Sequence, residues 1–438
     1  MFANLIYFAA LLLVSPVVLY RMVRHGRYRR GVREKVLGLS ASHARNLSAG
    51  KRCIWIHAVS VGEVNLVRGV AMRLQQQHPD TPVLISTSTD TGYDLAIRLF
   101  GAQRVFFCPL DFSWAVARAI RNLNPQLLLL AELELWPNLI RMTRDHGCPV
   151  MVINARLSES SANRYQRFGA FTRRTFARLS WVGCQNEATA SRFLKCGSNP
   201  DRLEVTGSIK FDDAPTSRDT VEVQSRQQWA GVDPWNRVWV GGSTGPGEEA
   251  MVIRVYQSLR SSHHQLRLVL VPRHVERFDA VAKLVEQSGL KVHRRSTGKS
   301  RNQSSWESDT VVLVDTIGEL RHWWGVSQIA TVGGSFGDRG GQNMLEPAGY
   351  GSAVSFGPDT RNFKEIANQL VAEGGAARVA DESELRQFVT RCLDDIPAAD
   401  CLGRNARRVI GQHQGAKERT LASIEATLQS DDTHFRAA

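Results

Sequence analysis

The sequence predicts an α/β fold built as two doubly wound parallel-sheet domains. Three observations predict it. Short, continuously apolar runs alternate with amphipathic stretches, the order of a parallel sheet with crossover helices. The alternation occurs twice, in the first and the second half of the chain. The unusual residues cluster just after the apolar runs, where open α/β sheets bind ligands.

In the first half, Cys53 to Val59, Val83 to Thr87, Leu127 to Ala131 and Val150 to Asn154 read as buried strands. A helix with Val67, Val70, Ala71 and Leu74 on one face follows the first. In the second half, strands are expected at Val238 to Gly241, Leu268 to Val271, Val311 to Val314, Ile329 to Val332 and Ala353 to Phe356. Helices are expected at Gly247 to Arg260, Glu276 to Gly289, Met344 to Gly351, Asn362 to Glu373 and Arg404 to Gln429. A polar, Pro-containing stretch separates the halves. The boundaries drawn are 1–35 for a membrane anchor and basic collar, 36–211 and 212–415 for the two domains, and 416–438 for a C-terminal helix and tail. The two domains are expected to face a cleft.

Met1 to Tyr20 carry no charge. Twenty helical residues rise about 30 Å, one hydrocarbon thickness. The run that follows, with Arg21, Arg24, Arg27, Arg29, Arg30, Arg33 and Lys35, holds close to half of the net charge of +13. It suits anionic headgroups and places the rest of the chain on the cytoplasmic face of the membrane. The segment either spans the bilayer or lies along its surface. The seven scattered cysteines, with no Cys-x-x-Cys pair, exclude a disulfide framework and a zinc ribbon. No metal-ligand cluster and no nucleic-acid-binding motif is evident.

Several constellations carry chemistry. Glu63 stands at a strand-to-helix turn, as a first-turn acid or as a general base. Ser86 to Gly92 offers hydroxyls for a substrate or for a helix cap. Glu132 and Glu134 follow a strand of four leucines, and alternation along an extended chain points both to one side. Arg156 and Lys210 are cations after strands, suited to a phosphate, a carboxylate or a neighbouring acid. Gly241 to Glu249 reads as a weak phosphate cradle. Arg273, after a strand, is either a nucleotide grip or a surface cation. Gly333 to Pro347 carries five glycines ahead of a helix expected to begin near Asn343, with Glu346 placed to accept from ribose hydroxyls and the glycines admitting a phosphate.

Together, Ser60-Val61-Gly62-Glu63, Glu134-Leu135-Trp136-Pro137-Asn138-Leu139, Asn154-Ala155-Arg156-Leu157-Ser158, Val271-Pro272-Arg273-His274 and Gly333-Gly334-Ser335 with Asn343 and Glu346 resemble the bacterial Kdo transferases. These are membrane-associated GT-B glycosyltransferases that move 3-deoxy-D-manno-octulosonic acid (Kdo) from CMP-Kdo to a lipid A precursor in lipopolysaccharide biosynthesis. The resemblance covers nearly the whole chain. It implies an inverting enzyme with Glu63 as base and with Glu132 and Lys210 stabilising the transition state. It implies CMP contacts at Pro272, Arg273, Ile317, Gly318, Glu319, Asn343, Met344, Leu345 and Glu346. It implies no cofactor beyond the donor CMP-Kdo, no metal, and an anionic lipid A precursor and membrane lipids as partners. Gly245 departs from the family pattern where a histidine is usual. Gln342 replaces a histidine, Met344 a proline, and Leu133 a threonine between the acids. The competing readings are another GT-B enzyme acting on a membrane glycolipid and a non-catalytic, membrane-associated nucleotide- or lipid-binding protein.

Overall fold

A computed structural model describes residues 30–298 and 306–436, together with Asn4, Tyr7, Tyr20 and Arg24. The apolar stretch expected as an anchor therefore lies almost wholly outside the described residues. Among the described residues no helix is long and apolar enough to cross a membrane. The chain divides into two compact units, residues 1–212 with 414–438, and residues 213–413.

The first unit is built on seven parallel strands: β1 (Cys53–His57), β2 (Val83–Thr87), β3 (Val105–Phe107), β4 (Pro125–Ala131), β5 (Val150–Ala155), β6 (Trp181–Cys184) and β7 (Leu203–Val205). Their order is β3-β2-β1-β4-β5-β6-β7. Both faces are covered, so the central strands are apolar throughout. Leu127, Leu128, Leu129 and Leu130 are all fully buried and point alternately into the two cores. Each such side chain contributes about 1.5–3 kcal/mol by leaving water. The strand order reverses between β1 and β4, which makes the loops after these two strands the switch point of the sheet.

The second unit repeats the plan with β8 (Arg237–Thr244), β9 (Leu266–Pro272), β10 (Lys291–Arg294), β11 (Thr310–Leu313), β12 (Ile329–Val332), β13 (Ala353–Phe356) and β14 (Ala376–Arg378). Its order is β10-β11-β9-β8-β12-β13-β14, so the switch point lies between β8 and β12.

Two expectations change. The helix expected at Arg404 to Gln429 is two helices, Ile396–His413 and Ala416–Arg436, and the latter belongs to the first unit. Gly415, at φ 89°, turns the chain between them. The Asp212 carboxylate then accepts the Lys417 amide at 2.6 Å, capping the new helix. The basic collar is also partly folded into the first unit. Arg30 pairs with Asp94 at 2.7 Å, and Glu34 accepts the Phe107 amide at 3.1 Å. The sites in each unit are held by these frames.

Candidate active site

In the first unit, Ser60 caps the helix Val61–Gln77 by accepting the Glu63 amide. The Glu63 carboxylate reaches back, accepting the Ser60 hydroxyl and the Val59 amide, each at 2.8 Å. This is a variant of the capping box, with the carboxylate on the amide one residue before the cap, and it fixes the side chain just after β1. Thr87 and Thr89 both donate to the Val59 carbonyl, at 2.9 and 2.8 Å. The Thr87 and Thr89 hydroxyls thus brace the Glu63 loop, and Thr89 also caps the helix that follows by accepting the Gly92 amide. Ser86 itself is buried, held by Trp55 Nε1 at 2.7 Å and by His57 Nδ1 at 2.9 Å.

Glu132 follows β4. The chain is not extended there. Glu132 takes a left-handed φ of 53°, and its amide donates to the Ile153 carbonyl. The alternation expected of Glu132 and Glu134 therefore fails, because the strand ends at Ala131. Glu132 turns to Lys210, with Oε1 at 2.8 Å from Nζ, and Glu134 accepts Trp136 Nε1 at 2.8 Å.

Burial pushes the Glu63 carboxyl above its ordinary value, against the Val59 amide and the Ser60 hydroxyl, and nearby Glu132 pushes the same way. Burial and the charge of Glu63 push Glu134 up to about 7. Glu63, Glu132, Glu134 and Lys210 thus form one electrostatic cluster at the switch point, with a carboxyl poised to hold or release a proton near neutral pH. Arg156 is exposed after β5.

In the second unit, Pro272 ends β9 and is buried. The Arg273 amide is bound to the Thr244 carbonyl at 3.0 Å, and its side chain is exposed. Ile317 is 82% exposed and Gly318 has φ 85°. Burial would raise the Glu319 carboxyl, but ion pairs with Arg295 at 2.9 Å and Arg226 at 3.3 Å hold it below the usual range. Its side chain is committed to those cations. Met344 and Leu345 are buried, which leaves only their backbone for a ligand. Asn343 Oδ1 accepts the Leu345 amide at 3.1 Å. Burial raises the Glu346 carboxyl, opposed by Arg321, Asn343 and Arg273. Arg273, Asn343 and Glu346 are therefore brought together.

The first amides of the glycine-rich segment are bound by a carboxylate of the chain itself. Its helix is short, Leu345–Gly349. The amides of Gly334, Ser335 and Phe336 are taken by the Glu248 carboxylate at 2.8–3.1 Å, and Gly245 adds a fourth donor at 2.7 Å. A Cβ at Gly333 would stand 2.8 Å from Glu248 Oε2. The loop needs glycine to close on this carboxylate. Sequence reasoning missed Glu248; the only signal was an acid opening a helix after a glycine loop. No group of three or more His, Cys, Asp or Glu that could hold a metal occurs among the described residues.

Two parallel-sheet α/β units with charged residues at their switch points define a GT-B-like fold. Solved structures agree on the fold. A UDP-GlcNAc 2-epimerase from Neisseria meningitidis is 14% identical, with a TM-score of 0.53 over 83% of this chain and 99% of that one. A glycosyltransferase from Rickettsia africae is 12% identical, with a TM-score of 0.53 over 86% of this chain and 99% of that one. The family model for 3-deoxy-D-manno-octulosonic-acid transferase (kdotransferase) matches residues 27–213. The 3-deoxy-D-manno-octulosonic acid transferase of Haemophilus influenzae is 32% identical over 97% of this chain and 98% of its own length. That of Bordetella pertussis is 33% identical over 86% and 87%. The chain belongs to the Kdo transferases, glycosyltransferases of lipopolysaccharide biosynthesis.

Proposed function

We propose that the chain transfers Kdo from CMP-Kdo to a lipid A precursor with inversion, at the cytoplasmic face of the inner membrane. The observation that carries this reading is the half-buried Glu63 carboxyl, held in a capping box and raised by burial, in one cluster with the Lys210–Glu132 pair. Glu63 takes the proton of the acceptor hydroxyl as its oxygen bonds to the anomeric carbon. The bond from that carbon to the CMP phosphate breaks, and CMP leaves with the electron pair. Lys210, oriented by Glu132, offsets the negative charge that develops.

Arg273 is assigned to the CMP phosphate and Glu346 to the ribose, with Pro272, Asn343, the backbone of Met344 and Leu345, and the turn Ile317–Gly318–Glu319 around the nucleotide. Arg273 supplies the counter-charge, so no metal ion enters the reading. A lipid acceptor is supported by an apolar cavity of about 240 Å³ lined by Tyr7, Trp136, Tyr165, Phe168 and Phe176 among others. Phe168 is 64% exposed, between helices that carry Arg164, Arg167, Arg173 and Arg174. Apolar surface ringed by cations suits acyl chains below anionic headgroups. Membrane attachment is assigned to the uncharged N-terminal stretch and its basic run.

The test is incubation of the full chain with CMP-Kdo and a tetraacylated lipid A precursor, with product masses read directly. A mass gain of one or more Kdo residues supports the reading. An unmodified acceptor, with CMP-Kdo intact, overturns it.

A further inference from the structure

The loops after β8 and β12 meet at the switch point of the second unit and bound a cavity of about 280 Å³. That volume is at the low end for ligand cavities, sized for one sugar rather than a whole nucleotide sugar. Gly245, Gly247, Phe336, Gly337, Arg254 and Arg339 are among its lining residues. Its charges are unevenly matched. Glu248 is spent on four backbone amides. Arg254 is engaged by Glu382, through two hydrogen bonds at 2.7 and 3.0 Å. The Arg339 guanidinium has no acidic partner among the described residues. It lies over Gly245, so close that a Cβ at position 245 would stand 2.6 Å from Arg339 Nη1.

The backbone behind this cation is fixed. The Arg339 carbonyl accepts Asn362 Nδ2 at 3.0 Å, and the next amide, Gly340, donates to Asp359 Oδ2 at 2.7 Å. The Asp338 carbonyl accepts the Arg361 guanidinium. A guanidinium on a braced loop, beside a cavity and without a counter-charge, is arranged to take a planar anion in a two-pronged bond. The position is adjacent to the proposed phosphate grip: Thr244, one residue before Gly245, is paired with Pro272, one residue before Arg273.

We propose that Arg339, admitted by the missing side chain at Gly245, binds the carboxylate of the donor's sugar acid and selects it over neutral sugars. Nothing in the nucleotide contacts above supplies this selection, since a base, a ribose and a phosphate are common to many donors. The inference rests on the Kdo reading, and it gives the departure at Gly245 a physical role: a histidine there would fill the space the guanidinium occupies.

The test compares CMP-Kdo with CMP, which lacks the carboxylate, by calorimetric titration of the full chain. The intact protein is expected to bind CMP-Kdo more tightly than CMP. Arg339→Ala should weaken CMP-Kdo by about 10–100-fold, the size of a lost charge-assisted bond, and leave CMP within about twofold. Gly245→Ala, whose Cβ meets the mobile end of the guanidinium, should weaken CMP-Kdo in the same sense but by less than Arg339→Ala, and leave CMP within about twofold. Equal weakening of both ligands, or unchanged CMP-Kdo affinity in Arg339→Ala, overturns the subsite. An intact chain that shows the Arg339-dependent preference but transfers no sugar counts against the transfer reading alone.

Discussion

The side chain of Asn154 holds the turn that carries Lys210: its Oδ1 accepts the Ile209 amide at 3.0 Å. Asn154 is the penultimate residue of β5, fully buried, at a left-handed φ of 52°, and its carbonyl accepts Gln185 Nε2 at 3.0 Å. Glu132, at the end of the neighbouring β4, shares the left-handed conformation. Two such non-glycine residues at neighbouring strand ends mark backbone strain beside the candidate site. Asparagine tolerates that conformation better than most residues.

Asn154→Ala should therefore lower stability by about 1–3 kcal/mol, from the lost acceptor and the strained backbone. It should lower turnover further than the donor KM changes, because Lys210 loses its support. Asn154→Asp keeps an acceptor and the conformational preference, and should recover most of the stability. Thermal melts and steady-state kinetics on both variants check this.

Glu134 predicts a pH dependence. Its folded-state pKa, about 7, lies above the ordinary value. The folded state then binds more protons than the unfolded one between those values, so this group's contribution to stability is complete at low pH and is lost as pH rises through about 7. Glu134→Gln removes the loss. Its melting temperature should match the parent's near pH 5 and exceed it at pH 8. A constant difference across that range would contradict the assignment.

Glu248→Gln keeps the shape but replaces one acceptor oxygen with an amide that faces N–H donors. At least one buried amide loses its partner. A loss of about 2–4 kcal/mol is expected, far above that of an exposed helix acid. Urea titration measures it, and a change below about 0.5 kcal/mol would contradict the account of the glycine loop.

A chain lacking residues 1–29 should stay folded and float less readily with anionic vesicles. The cut belongs before Arg30, since Arg30 and Glu34 are bonded into the first unit; it also removes Asn4, which bonds Ser113 and Asn138, and Tyr7, which packs edge-on against Phe112, so the melting temperature should fall. Unchanged flotation would contradict the proposed anchor.

The central strands were legible because burial on both faces leaves a continuous apolar run, as at Leu127 to Leu130. The short outer strands Val105–Phe107, Trp181–Cys184, Leu203–Val205, Lys291–Arg294 and Ala376–Arg378 were not, because three or four residues carry no periodicity and most of these, unlike Ile329–Val332, are not runs of β-branched and aliphatic residues. Glu63, Glu132 and Lys210 were visible as charges after strands. That Lys210 turns to Glu132 was not, since 78 residues separate them. The role of Glu248 was hidden because three of its four partners are backbone amides almost ninety residues away, which leave no mark on side-chain identity.

The central claim is that Glu63 is the base, and Glu63→Gln tests it most directly. Glutamine serves in a capping box as glutamate does, so the fold around it should persist. With CMP affinity and melting temperature near the parent's, turnover of CMP-Kdo onto the lipid acceptor should fall by about 10²–10⁴-fold. Near-parental turnover in that variant would contradict the account.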